Sequence, residues 1–507
     1  MSKTANHHDE ETRIQIRGCL SEMESLLAAC HQDWRRRPHE DMALPSAMKL
    51  LQRSSDPDIV KEAIARWDVL KRCNSLVEVD RGFQSATEAE HKKAARHQFA
   101  DNETMGDISD AKDHHVRGKL YHAHLNTLKV QSRVQVDVVD GGYEWIQVRL
   151  LQPRRLVEQM TQSGWSWDTY KRGDVVPFDE WEDIALTKRL KQLVAAAKRN
   201  LHDFRRPRIR LVLPLIVRQD HPDYDILFEQ YTNIDPDVQV TIEDRDSLFL
   251  RSPLPANFIA NLLGDPLADL TATVTLEHTV LIDLISDLTH CRLEPQPWQV
   301  LTTRSQIEEE NSHEGGWMAK WLYSSLPGRR LVITKAGAKH LYQILETVGT
   351  ETEKERARLL VPHPGEQRAI TDEEARSRFQ ALSIHRLPDN FQIPVDVQTD
   401  ADRLNDEKIA AEVEAARISN DNTLQQPSSI LQDNHRATVL SAWRQGHTIV
   451  TSNREYKNLV RKWIKSTGCS PEMIRDLRIH TLQVARYMLS SHATPRPSDL
   501  AKATGTS

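Results

Sequence analysis

A chain of 507 residues, 39% hydrophobic and 28% charged, has enough apolar material for two or three buried cores and reads as a soluble globular protein. Its formal net charge of −6 gives no overall attraction to nucleic acid, so such contact needs a local basic patch. Five dispersed cysteines without a CxxC pair exclude a zinc ribbon and a disulfide framework, and no run of about 18 apolar residues offers a membrane span.

The first stretch, MSKTANHHDEETR, lacks the apolar centre of a signal peptide, so the expected location is cytoplasmic or nuclear. Apolar positions at helical spacing predict helices over 12–34 (Ile16, Leu20, Met23, Leu27) and 57–79 (Ile59, Ile64, Trp67, Leu70). Asp56-Pro57 supplies a cap and a first-turn proline for the second. Residues 84–118 are polar and read as an exposed helix or a mobile segment. The histidines of DHHVRGKLYHAH (113–124) read as surface groups.

Strand patterning follows. VQVDVVDGGYEWIQVRLL (134–151) predicts a hairpin turning at Asp140-Gly141-Gly142. Its polar positions Asp137, Glu144 and Gln147 superficially match a hairpin nuclease pattern, but the lysine such a site needs is absent. A helix through Leu186, Leu190, Leu193 and Val194 leads to strands at 208–217 and 237–244. Trp165 and Trp167 read as packing residues. Prolines and Gly264-Asp265-Pro266 mark a boundary.

Beyond it a second alternation begins: a strand at 272–276, a helix at 280–288, a strand at 330–334, and a helix through Leu341, Ile344 and Leu345. Residues 398–434 read as a polar loop, 435–453 as helix, turn and strand, and 491–507 as a disordered tail. The expected fold class is α/β. A helical region at 1–130 precedes a small α/β domain at 131–265 and a larger α/β domain at 266–490.

One stretch carries the functional argument. TVTLEHTVLIDLIS (273–286) is a strand, an acid at its carboxyl end, and an apolar helix. Ligands of open parallel sheets sit outside the carboxyl ends of strands, so Glu277 reads either as a metal-binding carboxylate or as the cap of the next helix. HRATVLSAWRQGHTIVTSN (435–453) repeats the layout and ends in Asn453. No GxSxG, Walker A, HExxH or GxGxxG stands in a suitable context.

LEHTVLIDLI and HRATVLSAWRQGHTIVTSN together resemble motifs of the PIN-like superfamily of metal-dependent nucleases and their degenerate relatives. With VDVVDGGYEWIQV and ILETVGTETEKERARLL they also resemble, in order over most of 130–465, an uncharacterised eukaryotic family (DUF1308) whose C-terminal half is PIN-like. The resemblance implies a three-layer α/β/α domain with a central, mostly parallel sheet. It places candidate catalytic residues at Glu277, Glu353, Glu355, Asp433, His435 and Asn453, with Glu277, Glu353 and Asp433 as ligands for Mg²⁺ or Mn²⁺. The third acidic position falls on either Asp433 or His435.

Hard cations need converging oxygen ligands. With Glu for Asp at the first position, His435 at the third and Asn453 at the last, the implied function is a degenerate, non-catalytic or weakly catalytic binding module. The alternative is a Mg²⁺/Mn²⁺-dependent RNA or DNA nuclease. The implied partners are RNA or a protein, with no membrane.

Overall fold

The computed structural model describes residues 2–33, 42–54, 56–101, 111–363, 369–398, 431–467 and 476–489. The expected tail at 491–507 lies outside them, as does the polar loop except at positions 398 and 431–434. The chain forms two compact units, Met1–Asp265 and Pro266–Ser507.

The first unit begins with helices α1 (Ser2–Gln32), α2 (Leu44–Arg53) and α3 (Pro57–Leu70). The Asp56 carboxylate accepts from the Asp58 amide, so the expected cap is present. The helix expected over 57–79 ends at Leu70, and the chain re-enters as strand β1 (Leu76–Gln84). The boundary expected at residue 130 does not appear, because β1 pairs along most of its length with β2 (Arg133–Asp140). Between these strands run α4 (Glu88–Asp101) and α5 (Ala111–Gln131).

Gly141 and Gly142, both at positive φ, turn β2 into β3 (Glu144–Val148). Helices α6 (Pro153–Ser163) and α7 (Ala185–Arg199), strand β4 (Arg208–Leu213), helix α8 (Pro222–Thr232), strand β5 (Val240–Asp244) and short helices α9 (Leu248–Arg251) and α10 (Phe258–Leu263) complete the unit. The sheet order is β1-β2-β3-β4-β5, antiparallel up to β3 and parallel after it.

Alternation along its strands divides the core in two. Trp145 and Leu211 pack with α6, α7 and α8, while Ile146 and Val212 pack with Leu26 and Trp67 of α1 and α3. Each fully buried large side chain contributes about 1.5–3 kcal/mol.

In the second unit, strand β6 (Thr273–Leu276) leads into helices α11 (His278–Ile285) and α12 (Asp287–His290), followed by α13 (Leu301–Ser312) and α14 (Trp317–Ser325). Strand β7 (Arg330–Ile333) precedes α15 (Lys335–Val348), α16 (Glu351–Leu360) and α17 (Asp372–Ala381), and strand β8 (Asp396–Val397) forms an edge. The remaining described elements are α18 (Asp433–Gln445), β9 (Thr448–Thr451), α19 (Tyr456–Thr467) and β10 (Arg478–Thr481). Gly446, in the left-handed region, ends α18, and the β-branched run Thr448–Thr451 is wholly buried.

All strand pairs of this sheet are parallel, in the order β10-β9-β6-β7-β8. The chain therefore builds outward from β6 through β7 to β8, then returns to the other side of β6 to lay down β9 and β10. A doubly wound parallel sheet opens a crevice where its order reverses, at the carboxyl ends of the two strands that flank the reversal. Here those strands are β6 and β9. Glu277 follows one of them, and Ser452 and Asn453 follow the other.

Candidate functional site

The Glu277 amide donates to the Val450 carbonyl at 2.9 Å, continuing the β6–β9 pairing by one residue beyond the strand. Its backbone is extended and its side chain caps α11. Oε2 accepts from the Thr279 amide at 3.2 Å, from the Thr279 hydroxyl, and from the Thr451 hydroxyl at 3.0 Å. One carboxylate oxygen is thus fixed by the capping turn and the end of β9. The other, Oε1, faces His278 Nδ1 closely and His435 Nε2 at 3.3 Å.

The Glu277 side chain is only 1% exposed. Burial pushes its pKa upward, but hydrogen bonds from His278, His435 and Thr279 outweigh that and hold it well below the usual carboxylate range. The acid is therefore ionised. The His278 and His435 rings stack with centroids 5.4 Å apart, and His340 meets His278 edge-on at 4.7 Å. Behind His435 stands Tyr456, ring to ring at 5.2 Å, its hydroxyl donating to the His435 carbonyl.

The cap reading of Glu277 holds: the residue caps its helix with one oxygen and presents the other to two imidazoles. Of the two candidates for the third acidic position, His435 meets Glu277. Asp433 opens α18 with its side chain 85% exposed and paired to Arg436. The helix turns Asn434 and His435 inward, which directs Asp433 outward. Asn453 lies at the β9 end, where its side chain accepts from the Glu455 amide before α19.

Glu353 and Glu355 lie apart from this cluster in their bonding. Glu355 is exposed. Glu353 is buried in a capping box with Thr350, and its carboxylate accepts amides from Asp287 at 3.1 Å, Leu489 at 2.9 Å and Thr350 at 3.0 Å. Burial raises its pKa, and those three amides act in the opposite direction. It joins α16 and α12 to the chain beyond β10. Asp287, beside it, pairs with the buried Arg356 at 2.7 Å.

Two groups at the edge escaped the sequence reading. His278 stands inside the quoted LEHTVL stretch, and its signal was adjacency to the strand-end acid. Asp283 is the lone acid of the apolar helix HTVLIDLI. Its Oδ1 accepts from the Arg486 amide at 2.6 Å, and burial pushes its pKa up to about 8. It stands as a neutral acid at pH 7.

A cleft of about 960 Å³ opens at this edge, lined by Thr279, Ser452, Asn453 and Arg454 on one side and by residues 483–488 on another. Several ties hold the 483–488 wall in place. Arg486 pairs with Glu310 at 2.6 Å and Glu309 at 2.7 Å, and the Ser286 hydroxyl donates to the Tyr487 carbonyl at 2.6 Å.

Glu277, His278 and His435 form a cluster whose candidate donor atoms all lie within 4.8 Å of one another. One carboxylate with two imidazoles does not suit Mg²⁺ or Mn²⁺, which prefer sets of oxygen ligands. The acids that would complete such a set are otherwise engaged: Asp433 faces solvent and Glu353 holds backbone amides.

In the first unit, Asp137 and Gln147 belong to a buried network rather than a site. Asp137 accepts from the Val148 amide at 2.7 Å and from Gln147, and pairs with Arg66 at 3.2 Å. Glu144 pairs with Arg210 at 2.7 Å. Trp165 is buried and donates to Asp223 at 2.9 Å.

The fold and site together define an α/β protein whose polar cluster lies at the switch point of a parallel sheet. Comparison with family models, curated proteins and solved structures finds no match. Among the described residues, no helix is long and apolar enough to cross a membrane.

Proposed function

We propose that the second unit is a degenerate PIN-like module that binds single-stranded RNA along the carboxyl edge of its sheet without cutting it. The observation that carries this reading is the pairing of Glu277 with two imidazoles instead of further carboxylates. Phosphodiester hydrolysis by hard cations needs those missing oxygens to hold the ions and activate water.

Charge favours an anionic partner along α19, which begins at that edge just after Arg454 and runs back between the parallel strands β9 and β10. Residues 454–465 carry five basic side chains (Arg454, Lys457, Arg461, Lys462 and Lys465) against one acid, Glu455. Arg454 lines the cleft, and Arg454, Arg461, Lys462 and Lys465 have no carboxylate partner among the described residues. The basic run at 198–210 differs. There Lys198 pairs with Asp235, Arg199 with Glu90, Arg206 with Asp237 and Arg210 with Glu144, which cancels much of its field.

The test is binding of a labelled single-stranded RNA to the full chain across a salt series, beside a Mn²⁺-supplemented cleavage assay with wild type and Glu277→Ala. The expected result is salt-sensitive binding without cleavage. In R454E/K457E, affinity falls and the slope of log K against log salt drops by roughly one per basic residue removed. Cleavage that Glu277→Ala abolishes would establish the nuclease alternative. Absence of binding at low salt would sink the RNA reading.

A further inference from the structure

The cluster that disfavours Mg²⁺ has the donor chemistry of a different ion. The geometry points to a Zn²⁺-type transition-metal site formed by Glu277, His278 and His435. This inference goes beyond the RNA reading and does not depend on it.

Burial and the convergence of donor atoms make the case. Glu277 Oε1 and His435 Nε2 are both buried and meet each other at 3.3 Å, with His278 Nδ1 close on the same oxygen. One carboxylate oxygen and two imidazole nitrogens converging away from water are costly unless each nitrogen carries a proton or the three share a cation. A shared cation between them removes that cost. Zn²⁺ binds nitrogen and oxygen at about 2.0–2.2 Å, so two ligands of a tetrahedral ion stand about 3.3–3.5 Å apart. The Oε1–Nε2 separation matches that edge, whereas His278 Nδ1 stands closer to Oε1 and has to draw back to admit an ion.

His278 Nδ1 supplies the third donor on the same oxygen. The side-chain amide of Asn434 lies 3.5 Å from His278 Nδ1. Two imidazoles and a carboxylate form an established zinc ligand set, and imidazole also suits cobalt, copper and nickel.

The outer contacts fit ligation as well. A ligating carboxylate keeps one oxygen for the metal while the other is held by its neighbours. Here Thr279 and Thr451 hold Oε2 and leave Oε1 to the two imidazoles. Tyr456 anchors the backbone of His435 from behind. The ion would join the end of β6 to the start of α18, two segments far apart in the chain.

The experiment is a titration of the full chain, stripped with chelator, with Co²⁺ read by visible absorption, then with Zn²⁺ in competition and with Mg²⁺ in parallel. The expected result is one Co²⁺ per chain with a low-symmetry visible band, displaced by Zn²⁺ and not by Mg²⁺. His435→Gln and His278→Gln weaken binding by more than about 100-fold, since even outer-shell changes cost 10–100-fold. Asp433→Asn and Glu353→Gln retain it.

Folded wild type that takes up no stoichiometric Co²⁺ or Zn²⁺ overturns the site, whatever the variants do. Uptake unchanged in a folded His435→Gln variant overturns it equally.

Discussion

Glu277 Oε1 lies 3.3 Å from His435 Nε2, joining the end of the first strand of the parallel sheet to the helix that precedes its fourth. The carboxylate is almost wholly buried. Its charge is balanced by imidazoles and hydroxyls brought together from α11, β9 and α18. Removing it leaves their donors and rings facing an apolar gap.

Glu277→Ala should therefore destabilise the second unit by about 3–5 kcal/mol in chelator, the range for stripping one partner from a buried ion pair. Glu277→Gln retains an oxygen for the Thr279 and Thr451 donors and should lose less. Denaturant unfolding followed by a probe in the second unit separates the variants. Equal losses in the two would show that the charge on Oε1 contributes nothing.

Asp283 predicts an inverted pH dependence. Its folded pKa, about 8, stands above the ordinary 3.8, with burial as the main cause. The charges facing it are Arg486, which opposes the rise, and Glu277, which adds to it. Between pH 4 and 8 the unfolded chain has lost this proton while the native state retains it, so the Asp283 contribution to stability falls as pH rises. Asp283→Asn keeps an acceptor for the Arg486 amide and removes the titration. Its advantage over wild type should be small near pH 4 and reach on the order of a few kcal/mol by pH 8. A stability difference that is flat across that range would refute the assignment of Asp283 as a neutral acid.

Glu353 should behave as a fastener. Glu353→Ala leaves three buried amides, from Asp287, Thr350 and Leu489, without acceptors. At about 1–3 kcal/mol for each unsatisfied group, partly relieved by water, a loss near 3 kcal/mol is expected. Hydrogen exchange should quicken first at residues 483–489, which form the cleft wall. Unchanged protection there would mean that the Arg486 and Tyr487 contacts hold the wall unaided.

In the first unit Asp137→Ala should cost about 3–5 kcal/mol, because Arg66 loses a buried partner and the Val148 amide loses its acceptor. Glu144→Ala, at the less buried edge of the same hairpin, should cost less. Neither change should alter RNA binding or metal uptake by the second unit. A shift in either property would contradict the structural role assigned to the hairpin.

Much of the fold was legible because it rests on local patterns. The alternation of 134–151 and its paired glycines specify the β2–β3 hairpin, and the β-branched Thr448–Thr451 run after Gly446 specifies β9. β1 was missed because its residues, LVEVDRGFQ, continue the helical pattern of α3 and then become polar. Pairing with β2 makes them a strand. A helical pattern that tolerates either outcome is decided by the partner available.

The site divides along the same line. By itself the sequence determined that an acid would stand at the end of a buried strand, ahead of an apolar helix, since strand and helix periods and the cap position are properties of neighbouring residues. Which groups that acid would meet was decided only by the tertiary structure. The strand order sets β9 beside β6, so that Thr451 and His435 reach Glu277, and the phase of α18 turns His435 inward and Asp433 to solvent. A shift of two residues along that helix would have put Asp433 where His435 stands, and so a second carboxylate beside Glu277 in place of an imidazole.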